Sequence, residues 1–149
     1  MGMKFDISIA DVCKSIDDQM ALFMSVAIRK LERLGLQAVT RVRSRSGAES
    51  WFDQTGNLRS SIGYMVLDNG RITSSSGFDT VNGTHGGGSE GSTEGKRYIE
   101  ELASKFPTGI VLIVVAGMDY AAYVEDMENK DVLASAELWL KAEIGRMTL

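Results

Sequence analysis

Few residues in this chain have the types and spacing that chemistry needs. Ser89 lies in Gly87-Gly88-Ser89-Glu90-Gly91, which spells a hydrolase nucleophile elbow. Such an elbow is a strained strand-to-helix turn inside a parallel α/β sheet. Here the surrounding run, 74 to 95, is built of Gly, Ser and Thr, with Phe78 and Val81 as its apolar anchors. Gly86 to Gly91 has the spacing of a dinucleotide fingerprint but lacks the preceding strand and following helix which that motif requires. Gly95-Lys96 ends like a phosphate-binding loop, yet Arg97 stands where a Ser or Thr would hold magnesium. His85 and Cys13 are the single histidine and the single thiol and lie far apart, so no zinc spacing arises. The acid pairs Asp17-Asp18, Glu100-Glu101 and Glu125-Asp126 fall at helix starts or on solvated faces, where carboxylates need no catalytic reason. The expectation is a chain that is not an enzyme and uses no metal and no cofactor.

A second kind of chemistry is charge. Arg41, Arg43 and Arg45 alternate with small residues and on a strand would share one face, a patch for phosphate or an acidic partner. Read instead as a helix end, they are cations near a C-terminus, where the helix dipole favours them. The patch supports the alternative function, a small nucleic-acid-binding module. The overall charge of −4 argues against a general nucleic-acid binder.

The elements that would position these residues follow from periodicity. Residues 4 to 9 alternate apolar and polar and predict a short edge strand. From Ile16, apolar residues at Met20, Phe23, Ala27, Leu31, Leu34 and Ala38 predict a helix from about Val12 to about Val39, capped by Asp11 or Ser15, with Gly35 bending or ending it. Trp51-Phe52 reads as an apolar anchor under a loop, and Gln54 to Asn57 as a turn. Alternation from Leu58 to Val66 and the Asp68-Asn69-Gly70 turn predict a hairpin over 58–73 with its tip at Asn69-Gly70, which can reach a partner. Residues 74–95 read as a mobile loop, followed by a short helix, Lys96 to Lys105, with Tyr98, Ile99, Leu102 and Ala103 inward. Ile110 to Ala116 is seven apolar residues without a break, which predicts a strand covered on both faces at the centre of the fold. Tyr120-Ala121-Ala122-Tyr123-Val124-Glu125 follows as a packed corner, then a last helix from about Val132 to Arg146 with Leu133, Ala136, Leu140 and Ile144 as its seam. The sum is an α+β fold: a small, mainly antiparallel sheet packed against a long N-terminal helix, with a short middle helix and a C-terminal helix. At 149 residues the whole of 1–149 is expected to form one domain.

Hydrophobic residues make up 44% and charged residues 24%, as in soluble globular proteins. No apolar run approaches the roughly 20 residues that cross a bilayer, and the acidic start lacks a secretion-signal core. The single cysteine excludes an intramolecular disulfide and fits a reducing compartment. A helix this long, wide on its apolar side, is expected to find part of its cover on another chain.

Two segments together carry a resemblance. Thr55-Gly56-Asn57-Leu58-Arg59-Ser60-Ser61-Ile62, followed some 60 residues later by Tyr120 to Glu125, lies behind a long helix and ahead of a C-terminal one. This order resembles the tail-completion or head–tail joining (neck) proteins of long-tailed double-stranded DNA bacteriophages. Phe52-Asp53-Gln54 before Thr55 and Asp126 to Lys130 after the corner depart from the family pattern. The resemblance implies a structural virion protein, assembled in the bacterial host cytoplasm. It implies a homo-oligomeric ring, six-fold being one closed arrangement, that contacts other neck or tail proteins. DNA would pass through its lumen without sequence-specific binding. Thr55, Gly56, Asn57, Leu58, Arg59, Tyr120, Tyr123 and Glu125 are its fold or interface residues. Arg41, Arg43, Arg45, Asn69 and Gly70 are the residues read as partner contacts.

Overall fold

The computed structural model describes residues 1–44, 55–127 and 131–147. Arg45, the Trp51-Phe52 anchor and Gln54 lie outside the described residues. The first element, α1 (Ile9–Arg43), begins earlier and ends later than periodicity suggested. Ser8 is its N-cap: the Asp11 N–H donates to Ser8 Oγ at 3.1 Å and the Ser8 N–H donates to Asp11 Oδ2 at 3.4 Å. Asp11 is therefore the third helical residue of a capping box rather than the cap, and Ser15 lies inside the helix. The box fixes a helical turn where a strand over 4–9 was expected, and residues 1–8 carry no regular structure. Gly35 does not end the helix. A Cβ there would lie 2.5 Å from the Tyr64 ring, so glycine lets α1 close on the sheet.

The sheet has three antiparallel strands in the order β2, β1, β5, where β1 is Ile62–Asp68, β2 Arg71–Ser75 and β5 Ile110–Ala116. The pairing of β1 with β5 runs without a break from Ile62 opposite Ala116 to Asp68 opposite Ile110. The expected centre is thus corrected: β1 is the middle strand, and β5 is an edge strand. What made β5 look central is its cover on both faces, and β1 shares that cover. Ile62, Tyr64 and Val66 face α1 together with Leu112 and Val114, whereas Met65 and Leu67 face the opposite layer with Ile113, Val115 and Ile99. The hairpin is also shorter than expected. Residues 57–60 form a single helical turn, α2 (Asn57–Ser60), and the strand starts only at Ile62.

Beyond β2 the chain makes a small ladder, β3 (Asn82–Gly83) with β4 (Gly86–Gly87), and then enters α3 (Ser89–Ala103). That helix starts inside the stretch read as loop, two turns ahead of the expected Lys96. Ile99 is buried and Leu102 and Ala103 partly so, but Tyr98 is exposed, contrary to expectation. One residue is about 100° of helix, and the face aimed at the sheet is set by Gly91, Gly95, Ile99 and Leu102. The chain ends in α4 (Ala121–Met127) and α5 (Ala134–Gly145). α1 and α5 cover one face of the sheet and α3 the other, so the α+β architecture is as expected. Among the described residues no helix is long and apolar enough to cross a membrane.

Candidate functional site

The first of the two familiar segments is tied to the end of β5, from which the chain runs on into the second. Gly56 has φ +76°, and a Cβ there would lie 1.8 Å from the Val81 carbonyl oxygen, so only glycine fits. Asn57 is buried. Its Oδ1 accepts from the Gly91 N–H at 3.1 Å and its Nδ2 donates to Glu90 Oε2 at 3.1 Å, which satisfies an otherwise open donor in the first turn of α3. Leu58 is 1% exposed and fills the α1 side of the core. Arg59 donates to the Arg43 carbonyl and so caps the end of α1. Ser60 Oγ accepts from the Val81 N–H at 2.8 Å. Ser61 then ties the first segment to the end of β5: Gly117 N–H donates to Ser61 Oγ and to its carbonyl, both at 3.1 Å.

The glycines that mimicked phosphate and nucleophile motifs belong to this junction. A Cβ on Gly88 would meet Ser60 Oγ at 2.1 Å, one on Gly91 the Asn57 carbonyl at 1.9 Å, and one on Gly117 the Gly95 Cα at 2.5 Å. Gly88, Gly91 and Gly95 form a bare stripe on which the Gly56–Ser61 turn and Gly117 rest at backbone contact. Sequence reading missed this stripe, although its spacing of three and four was the signal. Ser89 lies in the first turn of α3, and the exposed His85 is hydrogen-bonded to Thr84 at 3.2 Å. Among the described residues no group of three His, Cys, Asp or Glu side chains could hold a metal.

The Tyr120–Glu125 corner works differently from the packing expected. Ala121 is buried and Val124 half-buried, whereas Tyr120 and Tyr123 are 40% and 57% exposed. In α4 the spacing that turns 121 and 124 inward turns 120 and 123 outward. Glu125 does the bracing: its Oε1 accepts from the Ala134 N–H at 2.7 Å and its Oε2 from the Leu133 N–H at 3.3 Å. With Asp131 Oδ1 accepting from the Ser135 N–H at 3.2 Å, the N-terminus of α5 is capped by carboxylates where its dipole favours them.

The residues expected to contact partners are partly engaged within the chain. Arg41 and Arg43 lie in the last turn of α1, not on a strand. The Arg41 guanidinium sits 5.0 Å from the Trp139 ring centroid, a cation–π contact, and Arg43 Nη2 donates to the Asp79 carbonyl at 2.7 Å. At the exposed hairpin tip, Asn69 (φ 49°) and Gly70 (φ 79°) make the expected turn. Asn69 also exchanges two 2.9 Å hydrogen bonds with Gly109, which anchors the tip to the start of β5.

The surface holds two apolar features that these residues do not use. Of residues 1–26 none is buried, and the first buried position in α1 is Ala27. Ile9, Val12, Ile16, Met20 and Phe23 are between 45% and 84% exposed and lie on one side of an arm, residues 9–26, about 27 Å long. Between β5 and α5 lies an open groove of 290 Å³, walled by Leu112, Val114, Leu140 and Ile144 with Lys141 and Glu137 on its rim. Compared with known proteins, the chain matches no family model, no curated protein and no solved structure.

Proposed function

We propose that this chain is a structural virion protein, a neck or tail-completion subunit of a long-tailed DNA bacteriophage. It assembles in the host cytoplasm as a closed homo-oligomeric ring between head and tail components. One observation carries the reading: the apolar stripe of α1, buried from Ala27 onward, continues uncovered for some four turns upstream. A soluble monomer rarely exposes an apolar patch of that extent without a partner. The bonds from Gly117, three residues ahead of Tyr120, to Ser61 support it further, because they hold the first of the two segments that carry the family resemblance to the chain that leads into the second.

Native mass spectrometry of the purified chain tests the proposal. The expected result is a single closed stoichiometry, six being one option, with no change on adding nuclease. A chain that stays monomeric at high concentration, alone and with candidate neck or tail neighbours, refutes it. The nucleic-acid-binding alternative gains no observation, since Arg41 and Arg43 are already held by Trp139 and the Asp79 carbonyl.

A further inference from the structure

The exposed arm and the open groove are complementary features of one chain. We infer that the α1 arm of one copy seats in the β5–α5 groove of another copy. The inference deepens the ring reading and rests on its premise of self-association.

Shape gives the first reason. The stripe Ile9, Val12, Ile16, Met20, Phe23 runs at helical spacing and continues into Ala27 and Leu31, of which Leu31 packs into the core on this same face of the sheet. The groove is bounded by that sheet face, through Leu112 and Val114, and by α5. An incoming helix would therefore extend the layer that α1 and α5 already form. α5 is 12 residues long, about 18 Å, enough to accommodate the Ile16 to Phe23 portion of the arm alongside it.

Charge selects the body of another copy over its arm. The arm carries Asp11, Asp17 and Asp18 against Lys14. The remainder of α1, 27–43, carries Arg29, Lys30, Arg33, Arg41 and Arg43 against Glu32. Two arms side by side would place acidic surfaces together. An arm on the body meets Lys141 at the groove rim, and beyond α5 a depression lined by Lys30, Arg33 and Arg146. Glu137 and Glu143 pair with Lys141 and Arg146, so the uncompensated positive field comes from the α1 side. Exposed charges are screened beyond about 8–10 Å, so charge orients the arm while apolar burial holds it.

The sole cysteine makes the test clean, because Cys13 is exposed on the arm next to the stripe. Lys141→Cys places a second thiol on the groove rim, and a short bismaleimide is the probe. The expected product is a covalent ladder that depends on both thiols and disappears in Cys13→Ser. A product that stops at the dimer also places the arm on a second copy; it retains this inference and refutes the ring. Covalent dimers formed by the parent chain through Cys13 alone show arm against arm and overturn the inference. In parallel, Met20→Glu with Phe23→Glu alters only exposed side chains, so the body should keep its circular dichroism while the native mass falls from oligomer to monomer. If that variant assembles like its parent, the arm does not hold the copies together and the inference is wrong. A parent chain that is itself monomeric refutes the ring and this inference together.

Discussion

Gly91→Ala should destabilise the protein, although on helix propensity alone it should help. Alanine in a helix interior is favoured over glycine by about 1 kcal/mol, and Gly91 lies within α3. A methyl there would stand 1.9 Å from the Asn57 carbonyl oxygen, where ordinary contact begins at 3.4 Å. The obstacle is backbone of the buried turn, so it cannot rotate away. α3 would have to retreat by about 1.5 Å, and overpacking of that kind costs about 1–3 kcal/mol. The retreat also stretches the Gly91 N–H to Asn57 and Asn57 to Glu90 hydrogen bonds, each now 3.1 Å and each contributing about 1 kcal/mol. After the propensity gain, a net loss of about 2–4 kcal/mol remains. For a chain of this size that lowers Tm by roughly 5–15 °C. The control is Gly145→Ala at the end of α5, where a Cβ meets nothing within 4 Å; it should be neutral or stabilising by up to about 1 kcal/mol. Urea denaturation at fixed protein concentration reads both, with equal m-values required for the comparison. If Gly91→Ala is as stable as the parent, the close contact between α3 and the Asn57 turn is not real, and the account of the glycine stripe falls with it.

Other expectations concern the same junction and its neighbour. Glu125→Ala should remove the cap of α5 and cost about 1–2 kcal/mol in urea denaturation, with Glu125→Gln intermediate because one amide oxygen still accepts from a backbone donor. An unchanged midpoint for both would mean that the Leu133 and Ala134 donors find other partners. Asn57→Asp keeps the acceptor for Gly91 but sets a carboxylate against Glu90. It should therefore be less stable than the parent, and Glu90→Gln should restore most of the loss, a coupling of about 0.5–3 kcal/mol in a double-mutant cycle. Additive effects would refute the Asn57–Glu90 contact. Equilibrium DNA binding of the parent should be weak and barely altered by Arg41→Ala, whereas a steep salt-dependent affinity lost in that variant would restore the nucleic-acid reading.

Much of this fold was legible because its signals are local. The apolar spacing from Ile16 to Ala38 marked α1, Asn69-Gly70 marked the hairpin tip, and Ile110–Ala116 marked a strand with two covered faces. What was not legible depends on partners distant in sequence. β1 and β5 are both covered on two faces, and the middle one is decided by pairing, which no stretch of seven residues carries. The start of α3 was hidden because glycine argues against helix by propensity, yet Gly88, Gly91 and Gly95 are where the helix must approach Ser60, Asn57 and Ser61 at backbone distance. Tyr120 and Tyr123 drew attention as aromatics, but the corner is built by Ala121 and the Glu125 carboxylate.

The glycine stripe and the arm are connected by what each leaves available. Because α3 lies at backbone contact on the Asn57 turn and Gly117, one face of the sheet is closed without help from α1. On the other face α1 needs only residues 27–43 to cover β1, and Val42, Val39, Leu31 and Ile28 do so. The body is therefore closed by 17 of the 35 residues of α1. Nothing in periodicity separates those residues from the arm, since Phe23, Ala27 and Leu34 continue one stripe. The separation comes from charge, which reverses between Asp18 and Arg29, and from the length of the sheet that α1 crosses. On the proposed reading of self-association, a helix whose apolar face outlasts its own sheet, and whose charge changes sign between Asp18 and Arg29, is completed by another copy of the chain.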